Sequence, residues 1–416
     1  MSTTLPKIQD YAIIGNARSA ALISNRGSLD WLCWPRFDSA SIFGAIVDPT
    51  SGGRWSICPE SDSQTSRRYI DDTNVLETTF SIDSAKVVLT DFMPVTSEEE
   101  KKRRLWPEHE VIRRVTCENG EMLVVVHFDP RPDYGRAIPS IKEAGKLGWR
   151  IDMGTSLLSL RSDIALAPNT DVGLSAKLTL KTGDTIAFSL TFSDEGPAVL
   201  PPLGDFVREK LNLTINWWQR WAAQSNYRGP YQSQVTRSAL VLKLLSYAPS
   251  GAIIAAPITS LPERIGGDLN WDYRFAWLRD AAFTVHALYG LGYKDDAEAF
   301  VAWLLHATRL TRPELRIIYD VFGECPRTSA NCSICPVMPT RVQSAWATPR
   351  SSSCSWMFTA KSSRRWHISS VKTKSPTEIC RQCCDNSANM FASIGRSPIT
   401  EFGKNVARAV TTPIRC

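Results

Sequence analysis

The sequence predicts a β + α chain: an N-terminal β-sandwich, then α-helices, then a stretch not expected to form a native domain. Three observations predict it. Up to about residue 200, apolar and polar residues alternate over short runs separated by turn formers, as half-buried strands do. From Asp205 the apolar residues recur three and four apart, the spacing of amphipathic helices. Beyond about residue 325 neither period survives, and the composition changes with it.

In chain order, "VLETTFSID", "KVVLTDFMPV", "EMLVVVHFD" and "TIAFSLTFS" read as strands. Asn25-Arg26-Gly27 and Glu118-Asn119-Gly120 sit where hairpin turns belong, because glycine supplies the positive φ that such turns need. Many short strands of this kind predict a sandwich. "DFVREKLNLTINWWQRWAAQ" and "VTRSALVLKLLSYA" read as helices, followed by the pair "DAAFTVHALYGLG" and "DDAEAFVAWLLHATRL", joined at Gly290-Leu291-Gly292 by a glycine C-cap. The expected organisation is a β-sandwich over residues 1–204, a linker helix over 205–229, a helical part over 230–324 and a tail over 325–416.

The totals fit a soluble globular protein of two or three domains: 416 residues, 43% hydrophobic and 22% charged. No apolar run resembles a signal-peptide core or spans a bilayer, so no membrane partner and a cytoplasmic location are expected. The net charge of +6 conceals a break. Residues 326–416 carry 13 Lys and Arg against three acids, Glu378, Asp385 and Glu401, which leaves the preceding part net acidic. Eight of the 11 cysteines lie from Cys325 onward, and the last leucine is Leu315. Pro326, Pro336, Pro339 and Pro349 interrupt any helix drawn there.

The densest functional text is "GGDLNWDYRFAWLRDAAF", Gly266 to Phe283, where aromatic and charged residues alternate just before an apolar helix. Asp280 as a helix N-cap with Arg279 on a solvated edge would explain part of it. The other reading makes Tyr273 and Trp277 a flat apolar wall, Arg279 a fork of donors and Asp280 an acceptor, which is equipment for gripping the face and hydroxyls of a sugar. "WPRFDS", Trp34 to Ser39, reads as a structural corner between sheets, with no catalytic role.

The Gly266–Phe283 stretch resembles the start of the catalytic domain of glycoside hydrolase family 15, the glucoamylases and bacterial trehalases. "YAIIGNARSAALISNRGSLDWLCWPRFDSASIFGAIVD" and "GGRWSI" are similar to the β-sandwich that opens the bacterial members. The likeness covers about residues 8–324. It implies an (α/α)6 toroid of which residues 230–324 supply only the first part, an α-glucan or trehalose-like substrate, and no cofactor. It matches Arg279 and Asp280 to the pair that binds hydroxyls in the first subsite. Tyr273 matches the tyrosine near the developing oxocarbenium ion, and Trp277 the subsite tryptophan.

Glycoside hydrolysis needs two carboxyl groups, and the family resembled is inverting, with its general acid well downstream in a Trp-Glu context. Glu378, Asp385 and Glu401 stand in no such context, so no catalytic residue is assigned. The tail reads differently in another frame. Trp and Met have single codons, so starting at the third base of Trp356 forces aspartate, and Trp346-Ala347 forces glycine. In that frame Val342 to Ser353 permits R-P-V-R-M-G-N-A-A-E-Q-Q and Ser355 to Lys361 permits L-D-V-Y-G-E, which resemble the family's next segment. Ile399 to Ala407 permits N-G-I-W-E-E-R-G, the context of the general acid. The tail is therefore read as frameshifted, with the shift between Glu324 and Thr328.

Three other readings compete. Cys332/Cys335 with Cys380/Cys383 form two CxxC pairs suited to zinc, although their separation is long and no turn glycines or strand pattern accompany them. The basic tail could neutralise nucleic-acid phosphates, but its serines and scattered aromatics fit disorder equally, and no nucleic-acid partner is expected. The β-part could be a carbohydrate-binding or structural module without catalysis.

Overall fold

A computed structural model describes residues 6–169, 173–194, 203–259, 272–311 and 316–324. The alternating text folds into two eight-stranded antiparallel sheets. One runs Tyr11–Gly15, Ala20–Ser24, Ser28–Cys33, Arg54–Pro59, Glu121–Asp129, Leu174–Lys181, Ala167–Pro168, with Ser41–Phe43 paired to Ser28–Cys33 off this path. The other runs Ser140–Glu143, Trp149–Asp152, Leu157–Ser162, Thr185–Ser193, Glu110–Asn119, Ala85–Phe92, Leu76–Ile82, Gln64–Tyr69. One apolar core lies between them, drawing Leu29, Trp55 and Val124 from the first sheet and Leu89, Val115 and Phe188 from the second. At its centre the fully buried Arg113 pairs with Asp91 (2.8 Å) in its own sheet, and donates to the carbonyl oxygens of Gly27 (2.7 Å) and Trp55 in the other. A buried guanidinium persists because each of its donors finds an acceptor.

Gly27 closes a true hairpin between Ala20–Ser24 and Ser28–Cys33, at φ +70°. Gly120 is different. It takes φ +73°, but the strands on either side of it, Glu110–Asn119 and Glu121–Asp129, belong to opposite sheets. The expected hairpin there is a crossing between sheets, because each strand finds its partners far along the chain rather than across the turn.

The helices, in chain order, are α1 (Glu98–Arg104), α2 (Asp205–Ala222), α3 (Gln232–Leu244), α4 (Leu278–Gly290) and α5 (Lys294–Thr311). The last four fall on the four helical runs of the sequence. The first lies inside text read as continuous β-structure. Ser97 caps it by accepting from the Glu100 amide (3.2 Å), and glutamates at its start and basic residues at its end suit the helix dipole. Helix α2 packs on both parts of the molecule. Val207 joins a small cluster with Phe92, Ile112 and Ala187 of the sandwich, while Trp218 and Trp221 enter the helical core. That core also takes Phe37 and Val95 from the sandwich side. Between α4 and α5 the left-handed position falls on Gly292, at φ +101°.

Among the described residues no helix is long and apolar enough to cross a membrane, and no group of three or more His, Cys, Asp or Glu side chains is placed to hold a metal. The tail over 325–416, with its four CxxC cysteines and its shifted-frame matches, lies outside the described residues.

Candidate active site

The site segment is hung between two neighbouring stretches of chain. On one side the amides of Ala255 and Ala256 donate to the carbonyl oxygens of Phe275 (3.1 Å) and Tyr273 (2.8 Å). On the other, Ala276–Trp277 pairs antiparallel with Ile318–Tyr319, and the Leu278 amide donates to Ile317 (3.1 Å). Helix α4 then starts at Leu278 with Trp277 as its N-cap residue. Asp280 is thus inside the first turn and is not the cap, so the purely structural reading of it as a capping residue does not hold.

All four sequence-derived site residues sit within this short run. The Tyr273 and Trp277 rings are 5.5 Å apart and tilted by 44°. The Trp277 indole N–H donates to the Asp272 carbonyl (3.0 Å), which fixes the ring's orientation. Arg279 donates to Asp280 (3.1 Å), and the two side chains are 54% and 37% exposed. A pair so exposed adds at most about 1 kcal/mol to stability, so both groups stand available for a polar ligand. Chemically, the segment offers an aromatic wall, a guanidinium fork and a carboxylate. The motif's first residues, 266–271, lie outside the described residues.

Sequence reasoning gave no role to Arg274, which the structure places at the root of the segment. Its side chain is completely buried. It chelates Asp272 through Nε (3.0 Å) and Nη2 (2.6 Å), donates from Nη1 to the Ser39 carbonyl (2.8 Å), and is flanked by the rings of Trp31 and Tyr134. Burial opposes its charge, but the Asp272 carboxylate beside it more than offsets that and holds the guanidinium firmly protonated. Burial pushes the adjacent Cys33 thiol up to about 11. The one signal available in the sequence was the Asp-x-Arg spacing among aromatics.

The Trp34–Ser39 loop does more than form a corner. Trp34 enters the core between the sheets beside His109 and Phe192, while the residues after it face the helical part. Phe37 packs edge-on against Tyr247, Arg36 lies over the Phe322 ring at 5.3 Å while paired to Asp38 (2.9 Å), and Ser39 accepts from Arg274.

The structure thus joins a β-sandwich to helices, with an aromatic and charged cluster at a helix start. Comparisons with known proteins show what this arrangement belongs to. The family described as "Trehalase-like, N-terminal" matches residues 2–164, and "Glycosyl hydrolases family 15" matches residues 229–330. A trehalase of Thermoplasma volcanium is 36% identical over 323 residues, covering 76% of this chain and 50% of the relative. A trehalase of Mycobacterium tuberculosis is 34% identical over 340 residues, covering 77% and 49%. Among solved structures, a bacterial glucoamylase complexed with acarbose aligns with a TM-score of 0.56 at 13% identity, over 78% of this chain and 53% of that one. The chain belongs to glycoside hydrolase family 15. It spans about half the length of the curated relatives it matches.

Proposed function

We propose that the protein is a hydrolase of α-glucosidic bonds, of the trehalase or glucoamylase type and inverting, that grips trehalose or an α-glucan through Tyr273, Trp277, Arg279 and Asp280. The observation that carries this reading is the Tyr273–Trp277 ring pair followed within one helical turn by the exposed Arg279–Asp280 pair. Two tilted ring faces beside a guanidinium fork and a charged acceptor suit the apolar face of a pyranose ring and its hydroxyls. The position of these residues inside the family match at 229–330 supports it.

In this reading residues 230–324 begin an (α/α)6 toroid, and residues 325–416 are out of frame. The family match ends at residue 330, close to the compositional break, and the forced codons at Trp346 and Trp356 support the shift. The chain as written then lacks the general acid and base, whose loss costs about 10²–10⁴ in rate for each group. Sequencing the gene across codons 324–328 tests the frame, and repairing one indel there tests the function. The repaired protein should release glucose from trehalose or maltose while the unrepaired chain releases none above background. Stop codons between the two matched segments in the neighbouring frame would refute the frameshift, and a repaired, folded protein without activity on either sugar would refute the substrate class.

A further inference from the structure

The buried Arg274 is an unusual residue to find at the base of the half-buried Tyr273–Trp277 ring pair. A buried ion pair is weak support for stability, since the desolvation of both charges offsets most of their attraction. What the pair does provide is direction. Asp272 is joined to Arg274 by its carboxylate and to the Trp277 indole N–H by its backbone carbonyl. Arg274 in turn reaches the Ser39 carbonyl, in the loop that leaves the sandwich strand Ser28–Cys33. A second tie runs in parallel: the indole N–H of Trp31, on that same strand, donates to the Pro257 carbonyl (2.8 Å), next to the stretch that bonds Tyr273 and Phe275. The ring wall is suspended from the β-sandwich by directional bonds.

We propose that Arg274 is a positioning residue: acting through Asp272, it holds the Trp277 ring against Tyr273 and ties the sugar-binding wall to the Trp34–Ser39 loop, so that the β-sandwich sets the geometry of the site. The proposal rests on the reading of Tyr273 and Trp277 as that wall. It gives the loop a reason to lie against the helical part, with Arg36 over Phe322 and Phe37 on Tyr247 bracing the same contact. It also accounts for an arginine rather than a lysine, because only a planar fork can chelate Asp272 and still reach Ser39.

The test follows the Trp277 indole N–H in the full chain labelled with 15N-tryptophan, with the resonance assigned by Trp277→Phe. Trp55 in the sandwich core and Trp218 in the helical core serve as references. In Arg274→Met the Trp277 signal should shift and its hydrogen exchange quicken by about tenfold or more, while the references keep their positions. Arg274→Lys, which retains the charge but not the fork, should fall between. Trp277 protection at the wild-type level in either folded variant would overturn the proposal. So would equal disturbance of all three tryptophans, or failure of both variants to fold, since Arg274 would then be a general support of the core. Trehalose titrated into the wild-type protein reads the underlying function separately. A Trp277 signal that ignores the sugar but responds to Arg274→Met would remove the wall's role in binding and leave the positioning intact.

Discussion

Lys210 and Glu110 form an ion pair sealed between helix α2 and the sandwich, their side chains 3% and 1% exposed. Glu110 also accepts from the Ser189 hydroxyl (2.6 Å), and the Lys210 ammonium lies 5.4 Å from the centre of the Trp106 ring. Removing one member of such a pair strands the other charge in the interior. Lys210→Met should therefore cost about 3–5 kcal/mol, read as a lowered urea midpoint. Combining it with Glu110→Gln should recover a substantial part of the loss, because no naked carboxylate then remains. A single variant as stable as the wild type would mean that the ammonium is not what fastens α2.

At Gly27 the backbone takes φ +70°, and an added Cβ would sit 2.4 Å from the Ile57 carbonyl oxygen. The Gly27 carbonyl also accepts from the buried Arg113 (2.7 Å), so the turn cannot shift freely to make room. Gly27→Ala should destabilise the sandwich by about 2 kcal/mol or more. Thermal unfolding of the two proteins side by side measures it.

His109 packs against Trp34 and Phe192, with its Nδ1 shielded and unpaired among the described residues. Burial, helped by the nearby charges of Arg18 and Lys101, pushes its pKa down from 6.5 to about 4. The unfolded chain then binds the proton more readily than the folded one. The neutral ring's contribution is fully present above pH 6.5 and drains away as the pH falls towards 4, amounting to about 2 kcal/mol lost by pH 5. His109→Phe keeps the aromatic packing without the proton. The difference between wild type and variant in unfolding free energy should grow in the variant's favour from pH 7.5 to pH 5, and a constant difference would show that His109 does not titrate in this window.

Arg279→Leu and Asp280→Asn should each leave stability within about 0.5 kcal/mol, because their pair is exposed and Asp280 is not the helix cap. In a frame-repaired protein both should lower turnover more than they weaken substrate affinity, since charge-assisted bonds to sugar hydroxyls tighten as the ring flattens. Polarimetry of the first product adds an independent check. An inverting pair of carboxyl groups yields β-glucose from an α-linkage. Normal turnover with a lowered melting temperature would remove both residues from the site.

What the sequence determined by itself was local. The two-residue period fixed the strands Leu76–Ile82, Ala85–Phe92, Glu121–Asp129 and Thr185–Ser193, and the helical period fixed α2 to α5, because alternation and amphipathicity are written within a single element. The aromatic and charged run from Tyr273 to Asp280 was legible for the same reason, as its members are neighbours in the chain. Tertiary structure alone decided which strands meet, since pairing partners such as Arg54–Pro59 and Glu121–Asp129 are far apart in sequence. It turned the expected hairpin at Gly120 into a crossing between sheets and set the short helix α1, whose capped first turn was masked by the β-text around it, beside the sandwich. Only the fold could show that Arg274 is buried rather than solvated: the atoms that make its charge tolerable, Asp272 apart, belong to Ser39, Trp31 and Tyr134. A buried charge is decided by acceptors brought from elsewhere in the chain, and no local period records them.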